Sequence, residues 1–163
     1  MTILIGDDTS ATLAGTAADD ILFSGFNTTI PHSMLGGAGS DVLISGFSVA
    51  GDVLNGGPGS NLMILGSFAA TIDVSKHGEV DTIYGFGEGD TIRIIDPTSP
   101  HEVNSVQMGA DVVLNIGGFG GQEPDHSSVV LKDVDLHDVH ASIDEAGTLL
   151  MTFHHAADLN PMG

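Results

Sequence analysis

The sequence predicts an all-β fold. Short parallel strands stack turn upon turn in a right-handed coil (a parallel β-roll) of about twenty residues per turn, and an antiparallel β cap closes the C-terminal end. Three observations predict it. First, one segment recurs as Asp20-Ile-Leu-Phe-Ser-Gly-Phe26, Asp41-Val-Leu-Ile-Ser-Gly-Phe47, Asn61-Leu-Met-Ile-Leu-Gly-Ser-Phe68 and Asp81-Thr-Ile-Tyr-Gly-Phe86, with starts at 20, 41, 61 and 81. Second, the copies are preceded in phase by Gly15-Thr-Ala-Ala-Asp-Asp20, Gly36-Gly-Ala-Gly-Ser-Asp41, Gly56-Gly-Pro-Gly-Ser-Asn61 and the glycine-poor Lys76-His-Gly-Glu-Val-Asp81. Third, the C-terminal part alternates apolar and polar residues, as half-buried antiparallel strands do. Unrelated glycine-rich turns between ordinary antiparallel strands are the alternative. Four copies in phase favour the coil.

One turn illustrates the elements. Over Gly36–Asn55, the glycines permit positive φ and let carbonyls converge on one locus. Val42-Leu-Ile-Ser45 is a short strand, Gly46-Phe47 the second bend, and Asp52-Val-Leu54 the return strand. Leu22, Leu43 and Met63 occupy equivalent interior positions. The return strands carry Met34 and Leu35, Val53 and Leu54, then Ile72 and Val74. The opposite bends, Phe26-Asn-Thr-Thr-Ile-Pro-His-Ser33, Phe47-Ser-Val-Ala-Gly51 and Phe68-Ala-Ala70, lack the glycine motif and are expected to be held by packed Phe26, Phe47 and Phe68. Gly109-Ala-Asp-Val-Val-Leu-Asn-Ile116, Ser128-Val-Val-Leu-Lys-Asp-Val134 and Leu149-Leu-Met-Thr-Phe153 supply the cap, which keeps the apolar core and unpaired edge from exposure. Residues 1–163 form one domain on this reading, with the coil over 13–95 and the cap and C-terminal segment over 96–163.

The chain has 22 acidic and 3 basic side chains, for a net charge of −19, and its hydrophobic fraction is 41%. Nucleic acid is excluded as a partner by the lack of Lys and Arg to neutralise phosphates, and anionic membrane surfaces are disfavoured for the same reason. So acidic a chain repels itself when compact, and divalent cations would relieve the repulsion. Cysteine is absent, so disulfide and thiolate chemistry are too. The N-terminus lacks the basic region of a secretory signal, and no apolar stretch is long enough to span a membrane.

Gly36-Gly-Ala-Gly-Ser-Asp41 followed by Val-Leu-Ile matches the calcium-binding nonapeptide repeat G-G-x-G-x-D-x-U-x (U apolar) of RTX proteins. The chain resembles that family over roughly residues 13–95. Ala14–Leu22 looks like the opening repeat of such an array. Asp81–Ile92 looks like the segment that closes the roll in serralysin-type proteases and in the small modules of alginate epimerases. The resemblance implies calcium as cofactor, and export by type I secretion machinery of a Gram-negative bacterium to the outside or the cell surface, where an extracellular surface partner would be met. No feature of the sequence assigns an oligomeric state.

Calcium in such a roll sits between glycine loops of successive turns, held by carbonyl and aspartate oxygens, because it is a hard cation that takes six or more oxygen ligands. The expected metal residues are Asp20, Asp41 and Asn61, with the loop positions Gly15, Ala17, Gly36, Gly37, Ala38, Gly39, Gly57 and Gly59. One site lies between loops 15–20 and 36–41. The other lies between loops 36–41 and 56–61, weakened by the neutral amide of Asn61. The second side of the roll is expected to be calcium-free, a departure from the family. The plainer alternative makes the aspartates turn-forming residues with solvated carboxylates.

Eight histidines accompany the three basic residues. Asp135, His137 and His140 lie close together, and His154-His155 with Asp158 follows. Imidazole with carboxylate can bind zinc or transfer protons near neutral pH. His137, His140, His154 and Asp135 are therefore the catalytic candidates, and solvated surface histidines are the plainer alternative. No nucleophile elbow, phosphate loop or Cys-His pair is present. Two function classes result. One is a secreted calcium-binding module with a structural, adhesive or export and folding role. The other is a small enzyme that uses the roll as scaffold, with a His/Asp site in the cap.

Overall fold

Each turn of the coil consists of two short strands and two bends, the arrangement a twenty-residue period demands. The computed structural model describes residues 1–26, 28–46, 51–75, 78–95, 103–117 and 126–155. Strands β1 (Ile3–Ile5), β3 (Ile21–Phe23), β5 (Val42–Ile44), β7 (Gly59–Ile64) and β9 (Glu79–Tyr84) stack in parallel in one sheet. Strands β2 (Thr12–Ala14), β4 (Ser33–Leu35), β6 (Asp52–Asn55), β8 (Ala70–Val74) and β10 (Thr91–Ile94) stack in parallel in the other. The protein is an all-β solenoid, two strands to the turn, with a C-terminal antiparallel cap. Its first turn is made by β1 and β2, ahead of the first recognisable repeat.

The register places like on like. Leu4, Leu22, Leu43, Met63, Ile83 and Leu131 are paired in succession across the first sheet. Leu13, Met34, Leu54, Ile72, Ile92 and Met151 do the same across the second. Leu22, Leu43, Leu54, Met63 and Ile72 are fully buried. Each such side chain contributes on the order of 1.5–3 kcal/mol by leaving water, so the two interior columns hold the turns together. Glycine is obligatory where turns touch: at Gly59, φ is +139° and a Cβ would lie 1.8 Å from the Gly39 carbonyl oxygen.

The cap is built from β11 (Val103–Met108), β12 (Asp111–Ile116), β13 (Ser127–Leu131), β14 (Val139–Ile143) and β15 (Leu149–Phe153). β13 adds to β9 in parallel and β12 and β11 follow antiparallel, while β15 adds antiparallel to β10 and β14 to β15. The core thus continues through Val112, Leu114, Val129 and Leu131.

The second bends differ from expectation. Phe26 meets the Phe23 ring edge-on, with centroids 4.6 Å apart, but is 68% exposed, and Phe68 is 43% exposed, so neither is buried in its bend; Phe47 lies outside the described residues. Buried polar side chains occupy the bends instead. His32 N donates to Asp52 Oδ1 (2.8 Å), Ala70 N to Asp90 Oδ1 (2.8 Å) and Gly87 N to Asp90 Oδ2 (2.9 Å). A ring at the tip of a bend has no interior to enter, because the backbone amides facing inward must first be paired.

Candidate cation seat in the stacked glycine loops

Asp20 and Asp41 sit just ahead of β3 and β5, and Asn61 and Asp81 are the third residues of β7 and β9, one turn apart; all four are buried. They point inward because each is two residues ahead of an interior apolar residue, on the same face of its strand. A buried carboxylate needs partners, and the column supplies them from turn to turn. Asp20 N donates to Asp41 Oδ1 (2.8 Å) and Asp41 N to Asn61 Oδ1 (3.0 Å). The recurrent acid therefore clasps the main chain of the turn before it.

The members differ in their second oxygen or nitrogen. Asp20 Oδ2 accepts from Thr16 N (2.6 Å) and Thr16 Oγ1 (2.7 Å), and its Oδ1 accepts from Thr2 N. The Thr16 hydroxyl first, then these amides, hold the Asp20 carboxyl below its usual range. Asn61 Nδ2 donates to Gly57 O (2.9 Å) and to Asp81 Oδ1 (2.9 Å). The Asn61 amide is thus fully used. Asp41 is not: its Oδ2 is buried and has no hydrogen-bond partner. That oxygen turns into its own loop, where a Cβ on Gly36 would lie 2.6 Å from it. Burial first, then the charges of Asp20 and Asp19, push the Asp41 carboxyl up. Asp81 Oδ2 is also unpartnered, and burial pushes that carboxyl up to about 7.

The glycine loops bring main chain against main chain. Ala38 N donates to Thr16 O (3.1 Å) and Gly39 N to Pro58 O (3.1 Å), and Gly39 bridges to Gly59. Gly15 N donates to Leu35 O and Gly36 N to Asn55 O, 2.8 Å each. The Asp41 loop is the better candidate for a hard cation, since its orphaned carboxylate oxygen lies beside Gly36. The Asn61 loop fits less well, because Nδ2 presents a donor and Oδ1 already accepts from Asp41 N. Ala17 lies on the exposed tip of its loop. Lys76 and His77 of the fourth loop lie outside the described residues, but Ser75 N and Oγ donate to Glu79 there, a clasp made without glycine.

Of the cap candidates, His140 and His154 come together, whereas His137 pairs with Asp135. His137 is exposed and its Nδ1 lies 2.7 Å from Asp135 Oδ1, at the edge of a shallow depression of about 500 Å³ that also includes Asp133 and Gln107. His140, on the neighbouring strand, faces His154 instead, with ring centroids 5.7 Å apart. His154 Nδ1 is 3.4 Å from Glu88 Oε1, and His155 Nδ1 is 3.8 Å from Asp138 Oδ1. Asp158 lies outside the described residues. Among the described residues no group of three or more His, Asp or Glu could hold a metal ion in its present arrangement.

Sequence reasoning missed the second-side acids Asp52 and Asp90. A signal existed: Gly85-Phe-Gly-Glu-Gly-Asp90 repeats the spacing of Gly36 to Asp41. Among the described residues no helix is long and apolar enough to cross a membrane. Neither the protein-family models nor the curated proteins match this chain.

Proposed function

We propose that this chain is a calcium-binding β-roll module of RTX type, secreted or held at a cell surface, with a structural, adhesive or export and folding role. The observation that carries this reading is Asp41 Oδ2, a buried carboxylate oxygen without a partner, among loop glycines of a chain with net charge −19. A buried unpaired carboxylate is costly, and a cation there would remove the cost. Asp41 with carbonyls of the glycine loops would hold the ion. Calcium, when bound, supplies positive charge between turns and draws the loops together. The seat centres on the 36–41 loop that both expected sites share, since Asp20, whose oxygens accept from Thr2 and Thr16, and Asn61 are already satisfied.

The test is a thermal melt in excess chelator and in about 10 mM calcium, a concentration above the dissociation constants of extracellular modules. One site at about ten times its dissociation constant adds about 1.4 kcal/mol, a rise of a few degrees. Superimposable melting curves would sink the proposal.

A further inference from the structure

The two sheets face the solvent differently. Outside the second sheet lie polar side chains such as Thr12, Ser33, Asn55, Asp73 and Arg93. Outside the first, between β1 and β9, lie Ile3, Ile5, Ile21, Phe23, Val42, Ile44, Leu62 and Ile64 with no charge among them. At the N-terminal end this strip deepens into a depression of about 330 Å³, lined by Ile3, Ile5, Ile21, Phe23, Phe26 and Ile44. Ile3 is 58% and Ile5 66% exposed.

β1 is also an open edge. Ile21 N donates to Thr2 O, and Gly6 N donates to Phe23 O. By the alternation of a parallel ladder, the N–H and C=O groups of Ile3 and Ile5 point the other way, where no strand lies among the described residues. The C-terminal end of the coil is closed by β11 to β15. The N-terminal end offers both an unpaired ladder and the apolar depression beside it.

We infer that β1 is a docking edge for an extended apolar peptide with basic flanks, which adds to the first sheet as one more strand and seats its side chains against Ile3, Ile5 and Phe23. Main-chain bonds to Ile3 and Ile5 give such a complex its affinity, and the pockets for alternate side chains give its selectivity. The charge of the surroundings selects the flanks. Asp7 and Asp8 follow β1 directly and are exposed, as is Asp19 on the neighbouring loop, and the Thr9 hydroxyl and amide keep Asp7 ionised by holding its carboxyl low. The Met1 ammonium, 4.0 Å from Asp20 Oδ1, offsets one acid. A second copy of this chain brings another −19 to the same edge and is repelled. With only three residues in β1, the contact belongs to the small, weak and transient class.

The probe is a labelled, end-blocked heptapeptide of alternating valine and threonine with two lysines added at each end, followed by fluorescence anisotropy with the full chain. Saturable binding below about 1 mM is expected. Replacing the lysines by glutamates weakens it by about tenfold or more, and a central proline, which removes a ladder donor, abolishes it. Ile5→Lys weakens binding by about tenfold, Ile3→Lys does the same, and Ile64→Lys, at the far end of the strip, leaves it unchanged. Circular dichroism of each variant reports that the roll is intact. Equal binding by the proline peptide, indifference to both Ile3→Lys and Ile5→Lys, or no saturable binding overturns the inference. So does a concentration-dependent dimer in sedimentation that Ile5→Lys dissociates, since the occupant would then be a second copy. None of these outcomes depends on calcium, so the calcium proposal stands or falls separately.

Discussion

Two neighbouring stretches of one buried column are built from the same motif and do opposite things. In the upper stretch, Asp41 clasps the turn before it with one oxygen and leaves the other unpaired in the glycine loop. In the lower stretch, Asn61 clasps in the same way through Oδ1, but its Nδ2 reaches back to Gly57 O and across to Asp81. One atom separates them. At Asp41 that oxygen meets no donor, the place where the proposed cation would sit, whereas the N–H₂ of Asn61 makes two hydrogen bonds and would exclude one. If the proposed seat is right, cation-dependent and cation-independent turns stand in series in one solenoid, as they can where each turn is stabilised mainly by its neighbours.

The largest test of this comparison concerns what the two stretches share. A Cβ at Gly37 would lie 1.9 Å from Thr16 O, and one at Gly57 would lie 2.0 Å from Gly37 O. Gly37→Ala and Gly57→Ala should each cost several kcal/mol, roughly equally, in chelator as in calcium. Gly109→Ala, with open space around it, should cost only about 1 kcal/mol. A large loss at Gly37 that appears only with calcium present would make the glycine stack a metal device rather than a packing one.

The next effect is that of pH on the lower stretch. The unfolded Asp81 carboxyl releases its proton near the model-compound value of 3.8, and the folded one near 7. Between these values the folded state binds more protons. The stabilisation is full below the unfolded value and is lost as pH rises through the folded one, at about 1.4 kcal/mol per unit. Asp41 and Asp90, also raised by burial, act in the same sense. Metal-free protein should thus melt at a higher temperature at pH 5 than at pH 8. Asp81→Asn should flatten much of that difference, since its amide oxygen can still accept from Asn61. A metal-free protein more stable at pH 8 would contradict the burial of this acid.

Calcium should discriminate the stretches directly. Asp41→Ala should abolish most of the calcium-dependent stabilisation of about 1.4 kcal/mol, while Asp111→Ala, which removes the Lys132 ion pair and the acceptor of Asp133 N at the cap, should leave it. Equal losses would mean that calcium acts on net charge and not at a seat. The smallest effect is a gain. Asn61→Asp restores an acid to the lower stretch, so it should destabilise the metal-free protein by about 1 kcal/mol and enlarge its calcium response. A calcium response unchanged by Asn61→Asp would show that the amide is not what closes that seat.

Much of the scaffold was legible in the sequence. The period of twenty placed Leu22, Leu43 and Met63 in one column, and the alternation in 109–116 and 128–134 marked cap strands. The candidate seat was legible as a set of residues but not as a set of bonds. The neutral amide marks Asn61 as the weaker ligand from sequence alone, but only the structure shows its Nδ2 bonded to Gly57 and Asp81. Hydrophobicity alone does not bury Phe26 and Phe68, because they sit where the chain turns and the interior is already lined by amides seeking acceptors. Nearness in sequence groups His140 with His137, but the antiparallel pairing of β14 with β15, which crosses beside Phe153, brings His140 beside His154.

The sequence by itself determined the repeat, its length, the apolar interior columns and the concentration of negative charge. These are local or periodic properties, and in a stacked coil a residue's neighbours are the same residue one period away. Tertiary structure alone decided which polar atom is left without a partner, which sheet face stays apolar and which end of the coil stays open. Each depends on register and on the chain that packs from far away. A single turn carries no record of whether the next one brings a donor, an acceptor or nothing.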